Sequence, residues 1–320
     1  MTFVRTILGD ISTEELGFTY SHDHIVIDES YVTDQNPEFL LNDEVKIVRE
    51  LKEFYQLGGR TMVDTMPANC GRNALKLASV SDKSGVNLLA PTGLHLEQYY
   101  PVHHWRYQLT EDQLSELFIA DILDGIDRFD YNGPTVERTN HRAGLIKLAT
   151  GDQKFTSHQQ MIFRAVVNAH LETGAPILTH TNYGHQAFEQ ARLLISLGAD
   201  PEHIVLSHLD RKVDVNYHRK VLDTGVRIEY DSAFRWKNQP NGTYLLLRSL
   251  LTDYHHQIVM GMDAARNRYW KSYGGLPGLS FLLVNIKQEL EGIGMEQYYE
   301  NIFYEVPKKL FSFKPNSKSN

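Results

Sequence analysis

Short apolar runs that stop at residues able to ligate a metal recur along this chain. FTYSHDH ends at His22 and His24, LIKLAT carries Lys147, PILTH ends at His180, HIVLSH at His208 and QIVMGMD at Asp263. Each run is about five residues long and rich in β-branched or aliphatic side chains, the composition of a strand buried on both faces. Ligand-type residues scattered through a sequence carry no message. Placed repeatedly at the C-terminal ends of buried strands they do, because a parallel barrel gathers those ends around one axis.

Amphipathic stretches separate the runs. A first strand near Phe18 to Ile27 precedes a helix capped by Asn42 and running to about Leu57. TMVDTM from Thr61 leads to a helix around Asn73 to Ser84, and VNLLAPTGL to one from about Glu111 to Phe129. AGLIKLAT is followed by a helix over roughly Ser157 to Thr173, PILTH by one ending at Gly198, and HIVLSH by one over Val215 to Thr224. VRIEYD precedes a helix near Tyr244 to Tyr254, and QIVMGMD one that begins near Leu279. Eight strand–helix units with continuously apolar strands predict an α/β chain folded as a (β/α)₈ TIM barrel. It is expected to be one domain over 1–320, with a short N-terminal extension and a C-terminal helical segment. The rival is a doubly wound sheet, which calls for a Gly-rich turn after the first strand; HDH stands there instead. The polar residues after Phe313 are expected to fray.

A net charge of −8 argues against a general affinity for nucleic acid or anionic membranes. The basic residues between Arg211 and Lys220 read as the solvated face of a helix. The single cysteine, Cys70, cannot form an internal disulfide, which fits a reducing cytoplasm. No apolar run approaches the roughly 18 residues of a membrane span, and the N-terminus lacks the apolar core of a secretory signal. His103, His104, His255 and His256 lack the strand-end placement and read as surface or packing residues.

His22 and His24, two apart on a strand, point to one face, towards the barrel axis, while Asp23 points away and fixes a neighbouring loop or strand. His180, His208 and Asp263 join them at matching strand ends as candidate metal ligands. Lys147 is the odd member, because an inward lysine places a cation in the core. Two readings stand: an ion pair with Asp263 or another carboxylate, or carbamylation by CO₂ to an anion bridging two cations.

The segments GFTYSHDH, LIKLAT, ILTH, VLSH and GMDAAR together resemble the phosphotriesterase-like family of the amidohydrolase superfamily, over essentially the whole chain. Asp23 departs from that family's usual glutamate, and Val306-Pro307 from a common Asn-Pro. The resemblance implies two divalent ions, a carboxylated Lys147 (N6-carboxylysine) bridging them and a bridging hydroxide as nucleophile. His22, His24 and Asp263 would hold the more buried ion, His180 and His208 the more exposed one, and relatives suggest a homodimer. The donor set suits zinc, with manganese or cobalt as alternatives. Asp263 would serve as the catalytic proton acceptor.

The loops after strands seven and eight supply Arg235, Lys237, Arg266, Arg268 and Tyr269, where barrels often bind phosphate. SHLDRKVD, the R-x-K segment and GMDAARNRYW are similar to a subgroup acting on phosphorylated sugar lactones. That resemblance implies hydrolysis of a pentono-1,4-lactone 5-phosphate to the aldonate phosphate. Arg235, Lys237, Arg266 and Tyr269 would grip the phosphate, and Tyr99 and Tyr100 would add to the pocket. Two other readings are a general lactonase or aryl-esterase with weak phosphotriesterase activity, and a non-catalytic metal-dependent binding protein.

Overall fold

The computed structural model describes residues 2–313, so the polar tail expected after Phe313 lies outside the described residues. A short hairpin, β1 (Phe3–Thr6) and β2 (Gly9–Ser12), comes first. The barrel strands are β3 (Phe18–Asp23), β4 (Gly59–Asp64), β5 (Asn87–Leu89), β6 (Pro91–Gly93), β7 (Leu145–Thr150), β8 (Ile177–Thr181), β9 (Ile204–Leu206), β10 (Arg227–Tyr230) and β11 (Ile258–Met260). A final strand, β12 (Ser312–Phe313), pairs with β1. The helices are α1 (Tyr31–Gln35), α2 (Glu44–Gln56), α3 (Ala74–Ser84), α4 (Glu111–Leu123), α5 (Ser157–Thr173), α6 (Ala187–Ser196), α7 (Val215–Leu222), α8 (Gly242–Tyr254), α9 (Phe281–Gly292) and α10 (Val306–Leu310).

Parallel pairing runs β3-β4-β5 and then β6 through β11 in chain order. The run VNLLAPTGL is split at Ala90, because Pro91 has no N–H to continue the ladder, so β5 pairs with β4 and β6 with β7. Counted as one stave, they complete the eight expected of a (β/α)₈ barrel. The circle closes where the backbone N–H groups of Met262 and Asp263 both donate to the His22 carbonyl at 3.1 Å.

Closure depends on Gly261, since a Cβ there would lie 2.3 Å from the His22 carbonyl oxygen. Gly261→Ala must push the first and eighth staves apart. It is expected to destabilise the fold by about 1–3 kcal/mol, read from the midpoint of urea unfolding. An unchanged midpoint would show that the closure yields freely.

One end of the barrel is plugged. Val63, Leu89, Leu145, Leu178, Val205 and Val259 pack as an apolar layer across the interior, covered by Val4 and by Leu310 and Phe311. The N-terminal hairpin and β12 therefore form a three-stranded cap on the floor, a pairing that local patterning could not reveal. The layers above the floor belong to polar side chains.

Phe18 and Tyr20 face outward onto Phe54 of α2, with ring centroids 6.2 and 4.9 Å away. Strict alternation would send His22 outward with them. A one-residue bulge intervenes: Tyr20 pairs with Met62 but Asp23 with Asp64. The extra residue reverses the phase and turns His22 inward, so spacing alone does not orient the histidine pair.

Two helix ends also differ from expectation. α2 is capped by Asp43, not Asn42, its side chain accepting the Val45 and Lys46 N–H groups. α4 stops at Leu123 rather than near Phe129, because Gly125 follows with φ +126° and passes against the Thr139 carbonyl. The chain then makes an irregular excursion tied back to the buried Asp121 by Tyr131 at 2.5 Å and Arg138 at 2.8 Å. Among the described residues no helix is long and apolar enough to cross a membrane.

Candidate active site

The strand ends opposite the plugged floor bring the six candidate ligands together. His22, His24 and Asp263 place ligand atoms within 4.8 Å of one another. Asp263 Oδ1 lies 3.2 Å from His24 Nε2 and 3.7 Å from His22 Nε2. The His208 ring sits 4.7 Å from that of His22 and 4.6 Å from that of His180. His208 and Asp263 adopt left-handed backbone, with φ of 70° and 47°. Asp and His are among the residues that tolerate it, and it swings each side chain over the barrel mouth as the strand ends.

Lys147 is fully buried in this cluster, and among the described residues its Nζ has neither a hydrogen-bond partner nor a carboxylate at ion-pair distance. The ion pair with Asp263, one of the two readings of this lysine, does not form. Burial pushes the amine down to about 7, against the opposing pull of Asp263, Glu229 and Asp231. His22 Nε2 and His24 Nδ1 are likewise buried without a hydrogen-bond partner among the described residues. Imidazole nitrogens, a carboxylate and an unpaired amine converging with unmet valences form a donor set that fits divalent cations.

A second set of side chains holds the first. His208 Nδ1 meets Asp231 at short range, as carboxylates commonly orient metal-ligating histidines. Asp23 Oδ1 accepts the N–H groups of Ala264 at 2.9 Å and His24 at 3.1 Å, fixing the neighbouring loop as expected. Arg211 bridges Asp231, 3.1 Å away, and Asp263. Arg235 reaches Asp263 Oδ2 at 3.1 Å. Burial alone would raise the Asp263 carboxyl, but Arg211, His24 and Arg235 beside it hold it well below the usual range.

Arg211 corrects the expectation of a solvated helix face. It closes the turn Leu209–Arg211, four residues before α7 begins at Val215, and its side chain is only 21% exposed. Asp231 and Glu229 join the cluster from the run VRIEYD, to which the strand-end rule applies as to the other runs. His95, after β6 and four residues before Tyr99, also lines the cavity.

Above the cluster opens a cavity of about 420 Å³. Tyr99, Arg235, Arg266 and Tyr269 line it, together with Arg211 and Arg268. Arg266 and Arg268 both meet Glu38, and the Arg266 guanidinium lies 5.2 Å from the centre of the Phe39 ring. Two expected contacts are not brought to the cavity. Tyr100 is buried behind it, its hydroxyl accepting the His95 N–H at 2.8 Å and donating to the Ala68 carbonyl at 3.1 Å. Lys237 is exposed on the far part of its loop, past the point where Trp236 is anchored to Thr243.

A closed barrel of parallel strands with a histidine–carboxylate–lysine cluster at its open end defines a metal-dependent hydrolase of the amidohydrolase kind. The chain belongs to the phosphotriesterase family, whose model matches residues 2–311. It is 32% identical to a phospho-furanose lactonase of Mycoplasmopsis agalactiae, over 97% of this chain and 92% of that protein. A solved amidohydrolase from Mycoplasma synoviae superposes with a TM-score of 0.93 at 31% identity, covering 100% of this chain and 94% of that one. A lactonase from Listeria monocytogenes superposes at 0.89 with 30% identity, covering 98% and 100%.

Proposed function

We propose that this enzyme opens a phosphorylated furanose lactone, a pentono-1,4-lactone 5-phosphate, to the aldonate phosphate. The observation that carries this reading is one cavity with the candidate metal ligands at its base and arginines on its wall. The relative from Mycoplasmopsis agalactiae, by its name a phospho-furanose lactonase, supports the same chemistry. His22, His24 and Asp263 would hold one divalent ion, His180 and His208 a second, and a carbamylated Lys147 would bridge them, with zinc the best match to the donors. When bound, such ions lower the pKa of a shared water towards neutrality and polarise the lactone carbonyl.

The chain's own groups do the rest. Asp263 turns Oδ1 towards the histidines and Oδ2 towards Arg235. It takes the proton of the attacking water and passes it to the ring oxygen as the acyl–oxygen bond breaks. Because the arginines keep Asp263 a weak base, it holds that proton only briefly; the leaving alkoxide is far more basic. Arg266, Arg235 and Tyr269 bind the phosphate, and we add Arg211 and Arg268 from the same wall. Tyr99 closes the roof.

Arg266→Ala is expected to raise KM for a phosphorylated lactone about 10- to 100-fold, the worth of a charge-assisted contact. For the dephosphorylated analogue the change should stay within about twofold. Steady-state kinetics on five-carbon lactones with and without the 5-phosphate make the comparison. Equal effects on both would leave a general lactonase as the better reading.

A further inference from the structure

Glu229 has no part in the chemistry above, and its position is costly. It lies on β10 with its side chain fully buried, and neither carboxylate oxygen has a hydrogen-bond partner among the described residues. The layer below holds valine and leucine at such inward positions. A carboxyl with two unmet oxygens is among the least stable groups a core can carry, so an apolar residue would serve folding better.

Two residues further on, Asp231 faces the same side and meets His208 through Nδ1. Glu229 Oε2 stands 3.7 Å from His22 Nδ1, while Ser207 Oγ is 2.9 Å from the same nitrogen. His22, His208, Glu229 and Asp231 all place ligand-type atoms within 4.8 Å of one another. Glu229 on β10 and Asp231 just past its end thus present a carboxyl group to the rear nitrogen of each of two histidines.

The geometry points to Glu229 as a positioning residue that backs His22 as Asp231 backs His208. As the carboxylate that two nearby dications would favour, it selects the tautomer with the proton on Nδ1, leaving His22 Nε2 to face Asp263 and ligate an ion. Ser207 sets the ring angle and Glu229 supplies the charge. The inference rests on the reading of His22 and His208 as ligands to different ions, and it makes the two carboxylates separable.

The test is metal retention. Zinc-loaded wild type, Glu229→Gln, Asp231→Asn and the double variant are equilibrated against graded zinc–chelator buffers, and bound zinc per chain is measured. Glutamine keeps the volume and removes the charge. In Glu229→Gln one zinc is expected to require about tenfold more free zinc for occupancy while the other is unmoved. Asp231→Asn should loosen the opposite zinc, and the double variant both. Glu229→Leu provides the second variant: a space-filling role predicts unchanged retention with a higher melting temperature, a positioning role predicts a loss at least as large as with glutamine. Two zinc ions held equally by wild type, Glu229→Gln and Glu229→Leu would overturn the Glu229 assignment alone. Fewer than two in wild type would overturn the two-ion reading and this inference with it.

Discussion

Asp263→Asn is expected to lower kcat for lactone opening by about 10²- to 10⁴-fold, the range associated with loss of a positioned proton acceptor. The substitution preserves shape, and the asparagine oxygen can still face His24, which Oδ1 now approaches at 3.2 Å. What it loses is the ability to take a proton from the attacking water and return it to the leaving oxygen. It also deprives Arg211 and Arg235 of one of the two anions they share, leaving Asp231. Metal content must therefore be measured on the same preparation, so that a chemical defect is not confused with a missing ion. A metal-replete Asp263→Asn protein that keeps kcat within tenfold of wild type would remove Asp263 from the proton path.

The parts of this site that could be read from residues are those tied to a local rule. His180, His208 and Asp263 follow apolar runs, and their convergence follows from parallel strands closing into a barrel. Asp231 obeys the same rule, standing at the end of the seventh run, VRIEYD. The orientation of His22 was legible only in outcome. Two-residue periodicity predicts that His22 and His24 share a face, but which face depends on the bulge after Tyr20, set by pairing with a strand some forty residues away. Arg211 was misread because its neighbours Arg219 and Lys220 do lie on α7, and sequence does not mark where the preceding turn ends. Tyr99 and Tyr100 are adjacent and chemically alike. Only the backbone of the 3₁₀ turn Glu97–Tyr99 decides that the first faces the cavity and the second packs behind it. The floor cap pairs Phe3 with Phe313, a contact between the two ends of the chain that no local pattern encodes.

Lys147→Met is expected to move activity and intrinsic stability in opposite directions. As an unmodified amine the lysine is fully buried and its Nζ has no hydrogen-bond partner among the described residues. Methionine has nearly the same length and no polar group to desolvate, so the metal-free variant should resist urea better by about 1–3 kcal/mol. With ions present the order should invert, because wild type gains stability from ions that bind only the folded state and the variant has lost the bridge between them. Hydrolysis should fall by at least about 10³-fold, since an ion held without its bridge no longer shares a water with its neighbour. Paired unfolding curves with chelator and with zinc, alongside kcat, separate the possibilities. A variant less stable than wild type in chelator would mean that Lys147 makes a structural contact in the metal-free fold. A variant that keeps its activity with zinc would mean that the ions need no lysine between them. Stabilisation without metal, joined to loss of activity with it, is the signature of a residue kept at the expense of the fold for the chemistry above it.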